Sequence, residues 1–164
     1  MVKPRKASAP GHRRKFLLVV DDSTECVRAV QYAALRAEHT GGAVVLLYVI
    51  APAGFQQWKG VETIMRAEAM NEAEETLGRF ADVVRKWSQL EPEQVIREGE
   101  VAAEITGLIA EDEDIAVLVL AAGTGKEGPG TLISALIAGT FGAFVVPITV
   151  VPGGLDEAAI AAIA

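Results

Sequence analysis

Two rhythms of apolar residues alternate along the chain. Continuous apolar runs at Lys15–Val20, Ala43–Ile50, Ile115–Ala121 and Phe144–Val151 predict strands buried on both faces of a parallel sheet. A shorter strand is expected at Glu93–Arg97. Between them the apolar residues recur at helical spacing. Val27, Val30, Ala33, Ala34 and Ala37 form one stripe that ends at Gly41-Gly42, with Asp22 or Ser23 as expected N-cap and Asp22-x-x-Glu25 at capping-box spacing. Ile64, Met65, Ala69, Ala73, Leu77, Phe80, Ala81, Val84 and Trp87 form a second stripe within residues 61–90, opposite an acidic face of Glu68, Glu72, Glu75 and Asp82. Further helices are predicted over Ala102–Glu111 and near Leu132–Ala138. Leu155–Ala164 reads as a short helix or a fraying tail.

Strands alternating with helices imply right-handed βαβ units and a single α/β domain with helices on both faces of the sheet. Pro147 lacks an amide donor, so the last strand is expected at an edge. An apolar edge invites another chain, and a homodimer through Phe144–Val151 is the expected way to cover it.

Composition narrows the function classes. The chain has 164 residues with 51% hydrophobic content, enough for one domain with a sizeable core. One cysteine, Cys26, excludes a disulfide framework and a Cys-rich zinc site, and suits a reducing cytoplasm. No run is long enough to span a bilayer, and the apolar stretch after the basic start is too short for a secretory signal. The net charge of −7 divides unevenly. Residues 1–15 hold six cations and no acid, leaving 9 basic against 22 acidic residues, or 9 − 22 = −13, for the rest. That body argues against nucleic acid or an anionic membrane as partner. Residues 1–14 read as a basic, mobile tail ahead of the domain at 15–152, with 153–164 beyond it.

Chemistry is expected beyond the carboxyl ends of the strands, where α/β sheets bind ligands. Three loops belong there: Asp21-Asp22-Ser23, Val49-Ile50-Ala51, and the stretch from Ala122 to Thr131. The last places Gly123, Gly125, Gly128 and Gly130 around Lys126, just before a helix. Glycines admit close backbone approach, and helix amides attract phosphate. The segment matches neither the Walker pattern nor a dinucleotide fingerprint, and a long turn explains its glycines equally well. Asp21 can accept from a ribose or base, or cap a helix. Lys126 can neutralise phosphate, or be a solvated loop lysine. Ser134 and Thr140 can line a phosphate pocket, or cap and end a helix. His12 and His39 are too few and too far apart for metal or relay chemistry, and no catalytic triad or metal site is visible. Cys26 in a first helical turn can be an activated thiol or a small core residue, with the core the expected place. Glu111-Asp-Glu-Asp114 lacks the spacing of a calcium loop.

These segments, taken together, resemble a known family. Phe16-Leu-Leu-Val-Val-Asp-Asp-Ser23, the helix with Ala29 and Tyr32-Ala-Ala34, and Gly42-Ala-Val-Val-Leu-Leu-Tyr-Val49 resemble the opening of a universal stress protein (UspA-like) domain. Glu98-Gly-Glu-Val-Ala-Ala-Glu-Ile105, Ile115–Ala122, the glycine loop and the last strand continue the likeness over residues 15–152. The resemblance implies a Rossmann-like, five-stranded parallel sheet of order 3-2-1-4-5, often dimeric through its last strand. Members that bind ATP carry an Asp after the first strand, a hydrophobic residue ending the second, and Gly-x2-Gly-x9-Gly-Ser/Thr after the fourth. Asp21 and Val49 match the first two. Gly125-x2-Gly128 is followed by ten residues, not nine, before Gly139-Thr140. The implied function is a cytoplasmic stress-response regulator that binds ATP or another adenine nucleotide, with Mg2+ only if ATP is bound. A ligand-free dimeric interaction module with a regulatory protein partner is the alternative. A nucleotidyl transferase would need His-x-Gly-His-like and Lys-Met-Ser-Lys-Ser-like signatures that the chain lacks, and slow ATP hydrolysis would lack an obvious base.

Overall fold

A computed structural model describes residues 3–52, 59–123, 133–134 and 144–164. Its elements are β1 (Lys15–Val19), α1 (Cys26–His39), β2 (Ala43–Ile50), α2 (Lys59–Trp87), β3 (Glu93–Glu98), α3 (Val101–Glu111), β4 (Ile115–Ala122), β5 (Ile148–Pro152) and α4 (Glu157–Ile163). All five strands are parallel, in the order β3-β2-β1-β4-β5. Among the described residues no helix is long and apolar enough to cross a membrane.

The continuous apolar runs follow from a sheet covered on both sides. Phe16, Leu18, Val44, Leu46 and Val119 pack under α1, α2 and α4, while Leu17, Val19, Val45, Leu47, Leu118 and Leu120 pack under α3 with Ile133. Because successive side chains alternate faces, a strand serving two cores must be apolar at every position.

Three expectations need correction. The helix does not start at Asp22 or Ser23. Glu25 is the N-cap, without a side-chain cap bond, because the chain first makes a turn in which the Asp21 carboxylate accepts from the Ser23 amide at 2.8 Å. The apolar stripe of α2 is buried only from Ala73 onward, and Ile64 is 62% exposed. Residues 63–68 and 70–72 are exposed, and Arg66 pairs with Glu98 at the end of β3 at 3.3 Å. The fifth strand starts at Ile148 rather than Phe144. Pro147 contributes only its carbonyl, to the Leu118 amide at 2.9 Å, and ladder pairing begins after it. The strand does lie at the edge.

The basic segment, expected as a mobile tail, lies along the corner between α3 and β4. Arg5 Nη1 donates to the carbonyls of Ile109 and Asp112, and Lys6 pairs with Glu113 at 2.6 Å. Six cations precede an acidic turn at Glu111–Asp114, and opposite charge draws the segment onto it. At the other terminus α4 is part of the core: Ile160 is fully buried, and Gln31 Nε2 donates to the Glu157 carbonyl at 2.9 Å. Asp156 caps it, its carboxylate accepting from the Ala159 amide.

Candidate functional site

Parallel strands all point their carboxyl ends the same way, so the loops that follow them share one edge. Register puts the expected residues level with one another. Val19 pairs with Leu47, so two steps further Asp21 reaches the height of Val49. Leu18 pairs with Val119, so three steps further Asp21 reaches the height of Ala122, next to Gly123. The crevice lies where β1 has β2 on one side and β4 on the other, at the reversal of strand order. Gly125, Lys126, Gly128, Gly130, Gly139 and Thr140 lie outside the described residues.

Asp21 is exposed, but its carboxylate is held on one side. Both the Ser23 amide, at 2.8 Å, and the Cys26 thiol, at 3.2 Å, donate to Oδ1. Ser23 Oγ in turn donates to Cys26 Sγ at 3.5 Å. Cys26 is buried, and burial pushes its thiol up to about 12. It is therefore protonated and a hydrogen-bond donor at neutral pH, not a nucleophile. Sequence reasoning placed Cys26 in the core but missed its bond to Asp21. The signal was the separation of a strand-end acid from a residue in the first turn of the next helix.

Val49 is half-buried and packs against the α3-side core, offering one apolar flank at the edge. Its neighbour Tyr48 is half-buried with its phenol pushed up, first by desolvation and then by the carboxylates of Glu72, Asp22 and Asp21. The edge is thus acidic on its β2 side. The ends of the strands are stitched by backbone bonds: Gly99 N to Ile50 O at 3.0 Å, and Gly153 N to Ala122 O at 2.9 Å. At Gly153 a Cβ would lie 2.5 Å from Glu25 Cγ and 2.8 Å from the Ala122 carbonyl oxygen, so only glycine lets the chain leave β5 this close to the crevice. Sequence reasoning left Gly153 unassigned and gave Glu25 only a capping-box role.

The two histidines lie elsewhere. His12 bonds Asp114 at 2.6 Å at the amino edge, and His39 Nδ1 lies 3.1 Å from the Ala164 carbonyl oxygen. Ser134 is helical and exposed. Among the described residues no cluster of His, Cys, Asp or Glu could hold a metal ion.

What this arrangement offers is a fixed carboxylate with one oxygen already engaged, beside an apolar side chain. Such a pair suits a polar heterocycle or sugar: the apolar flank takes a ring face, and the carboxylate takes a hydroxyl or amine proton.

Comparison with known proteins is consistent with the fold. The model of the Universal stress protein family matches residues 12–158. No curated protein sequence matches the chain. Among solved structures, universal stress protein UspA from Lactobacillus plantarum is 17% identical, with a TM-score of 0.70 over 84% of this chain and 97% of that one. The universal stress protein from Archaeoglobus fulgidus in complex with dAMP is 21% identical, with a TM-score of 0.59 over 84% of this chain and 96% of that one. A universal stress protein in complex with cAMP is 14% identical, with a TM-score of 0.64 over 84% of this chain and 96% of that one. At these identities the likeness is one of fold.

Proposed function

The chain belongs to the universal stress protein family, and we propose that it binds an adenine nucleotide, ATP in the first instance, at the carboxyl edge of its sheet. The observation that carries this reading is the alignment of Asp21, Val49 and the Ala122–Gly123 strand end at one height around the reversal of strand order. Two structural neighbours were crystallised with dAMP and cAMP, which supports an adenine nucleotide over other ligands.

The roles divide by chemistry. Ser23 and Cys26 orient the Asp21 carboxylate through Oδ1, leaving Oδ2 to accept from the nucleoside. Val49 gives the base its apolar contact. Gly123, Gly125, Lys126, Gly128, Gly130, Gly139 and Thr140 are assigned to the phosphates, with Mg2+ entering only alongside a triphosphate. The nucleotide supplies the signal, and the protein acts on it as a cytoplasmic dimer through the β5 edge in a stress response.

One observation favours a second reading. Beyond desolvation, which is the main cause, Glu72, Asp22 and Asp21 also raise the Tyr48 phenol, and acids gathered at this edge repel polyphosphate. On that reading the fold is a ligand-free interaction module. Denaturing purified protein and examining the supernatant separates the two. The nucleotide reading expects released adenine nucleotide, and a ligand at 100 times its Kd adds about 2.7 kcal/mol of stability. No released nucleotide and no change in Tm at millimolar ATP would establish the second reading instead.

A further inference from the structure

A second set of long-range contacts sits at the opposite, amino edge of the sheet, made by a segment that mostly precedes the family match at residue 12. Arg5 Nη1 donates to Ile109 O at 2.6 Å and Asp112 O at 3.1 Å, carbonyls at the end of α3 that have no intrahelical partner or lie just past it. The Lys6 amide donates to Glu113 O at 2.9 Å, while its ammonium pairs with the Glu113 carboxylate at 2.6 Å. His12 bonds Asp114, and Lys15 joins Asp112 at 2.7 Å and Glu93 at 2.9 Å. The Ala43 amide then donates to the Arg14 carbonyl at 2.9 Å, fastening the segment to β2.

These attachments differ in firmness. From Arg14 onward the chain is part of the sheet. Before it, a single backbone bond to the domain, from the Lys6 amide to Glu113 O, is joined by ion pairs and part-buried charge–dipole bonds of Arg5. The exposed ion pairs among these are individually weak and screened by salt. Lys6 is 54% exposed. Arg5 Nε is buried without a hydrogen-bond partner, a desolvation cost that works against docking. One backbone bond and a few charge attractions, set against one unsatisfied buried nitrogen, make a closed state that is favoured only narrowly.

We propose that residues 3–14 form an ionic strap across the α3–β4 corner, closed at low ionic strength and released by salt. Release uncovers the carbonyl end of α3 and the Glu111–Asp114 acids, and frees a basic arm. The strap is a conformational device whose state follows ionic strength. It lies at the edge opposite Asp21 and does not depend on nucleotide binding there.

Limited trypsin digestion of the full chain tests it, since cleavage after Arg5 or Lys6 needs the segment lifted. A synthetic peptide of residues 1–16 corrects for the effect of salt on trypsin. Relative to the peptide, cleavage in about 20 mM salt should be at least ~10-fold slower than in ~1 M NaCl, where the Debye length falls to about 3 Å. Arg5→Ala should bring the low-salt rate toward that of the peptide, and Glu113→Gln should do so in part. Both residues lie outside the core, so the variants fold. Heteronuclear 15N NOE values for residues 5–8 should fall with added salt in parallel. Peptide-like cleavage at low salt, or protection unchanged by salt, would overturn the strap.

Discussion

The two edges of the sheet are built from different forces. At the amino edge, chain segments about a hundred residues apart are joined by charges: Arg5 to the end of α3, Lys15 to Glu93 and Asp112. For Lys15, desolvation works against the charge, yet hydrogen bonds to Asp112 and Glu93 outweigh it and leave the ammonium raised. At the carboxyl edge, polar groups of like sign collect instead. Glu72, Asp22 and Asp21 act on Tyr48, and among the described residues only Oδ1 of the Asp21 carboxylate is engaged. The amino edge resolves its electrostatics internally. The acids around Asp21 stand at the edge where parallel sheets bind ligands, and this is the edge that the proposed function uses.

Substitutions can separate the edges by the size of their effects. Leu46→Ala strikes a fully buried side chain in the middle of β2, a strand that both edges share. It should cost about 2–5 kcal/mol in urea unfolding and weaken both edges together. Gly42→Ala strikes the amino edge alone, because a Cβ there would collide with the Arg14 carbonyl oxygen, which is backbone and must shift. A loss of about 1–3 kcal/mol is expected, with ligand affinity unchanged once the protein is folded. Glu100→Ala strikes the carboxyl side, where the Glu100 carboxylate accepts from the amides of Ala102 and Ala103 and so caps α3. Thermal unfolding should report about 1 kcal/mol.

The smallest effect is read on a single thiol. Cys26 moves from an ordinary 9.0 to about 12 by burial, so its native state holds a proton that the unfolded state releases. Stability from this group is therefore full below pH 9 and declines as pH rises toward 12. At pH 8 a thiol reagent should label native protein slowly and unfolded protein at once. Because the thiol donates to Asp21, a ligand at the carboxyl edge should slow labelling further. Labelling that is fast in native protein would break the contrast between a closed Cys26 and an open Asp21.

The sequence made the strands legible because a doubly covered strand has nowhere to hide a polar residue. Ala43–Ile50 matches the observed β2, and β3, α3 and β4 fall within a residue of expectation. Strand order came through the family resemblance, not through periodicity. Elements failed where a distant part of the molecule decides. Ile64 keeps helical spacing with Ala73 and Leu77, yet it is exposed where they are buried. The fold of residues 3–14 depends on Ile109–Asp114, which no local pattern encodes. Asp21 and Val49, by contrast, were readable as residues of the carboxyl edge because they stand at the ends of buried strands. The partner of Asp21 was not found, since Cys26 looks like any small core residue. The α4 helix shows the same division: its Asp156 cap is readable, whereas its burial rests on Gln31.

Isothermal titration of ATP into the purified, nucleotide-free protein tests the central claim most directly. Saturable binding of one nucleotide per chain, weakened at least ~10-fold (about 1.4 kcal/mol) by Asp21→Ala and abolished by a bulky residue at Gly128, is the predicted result. No saturable heat with millimolar ATP, ADP or AMP would contradict it.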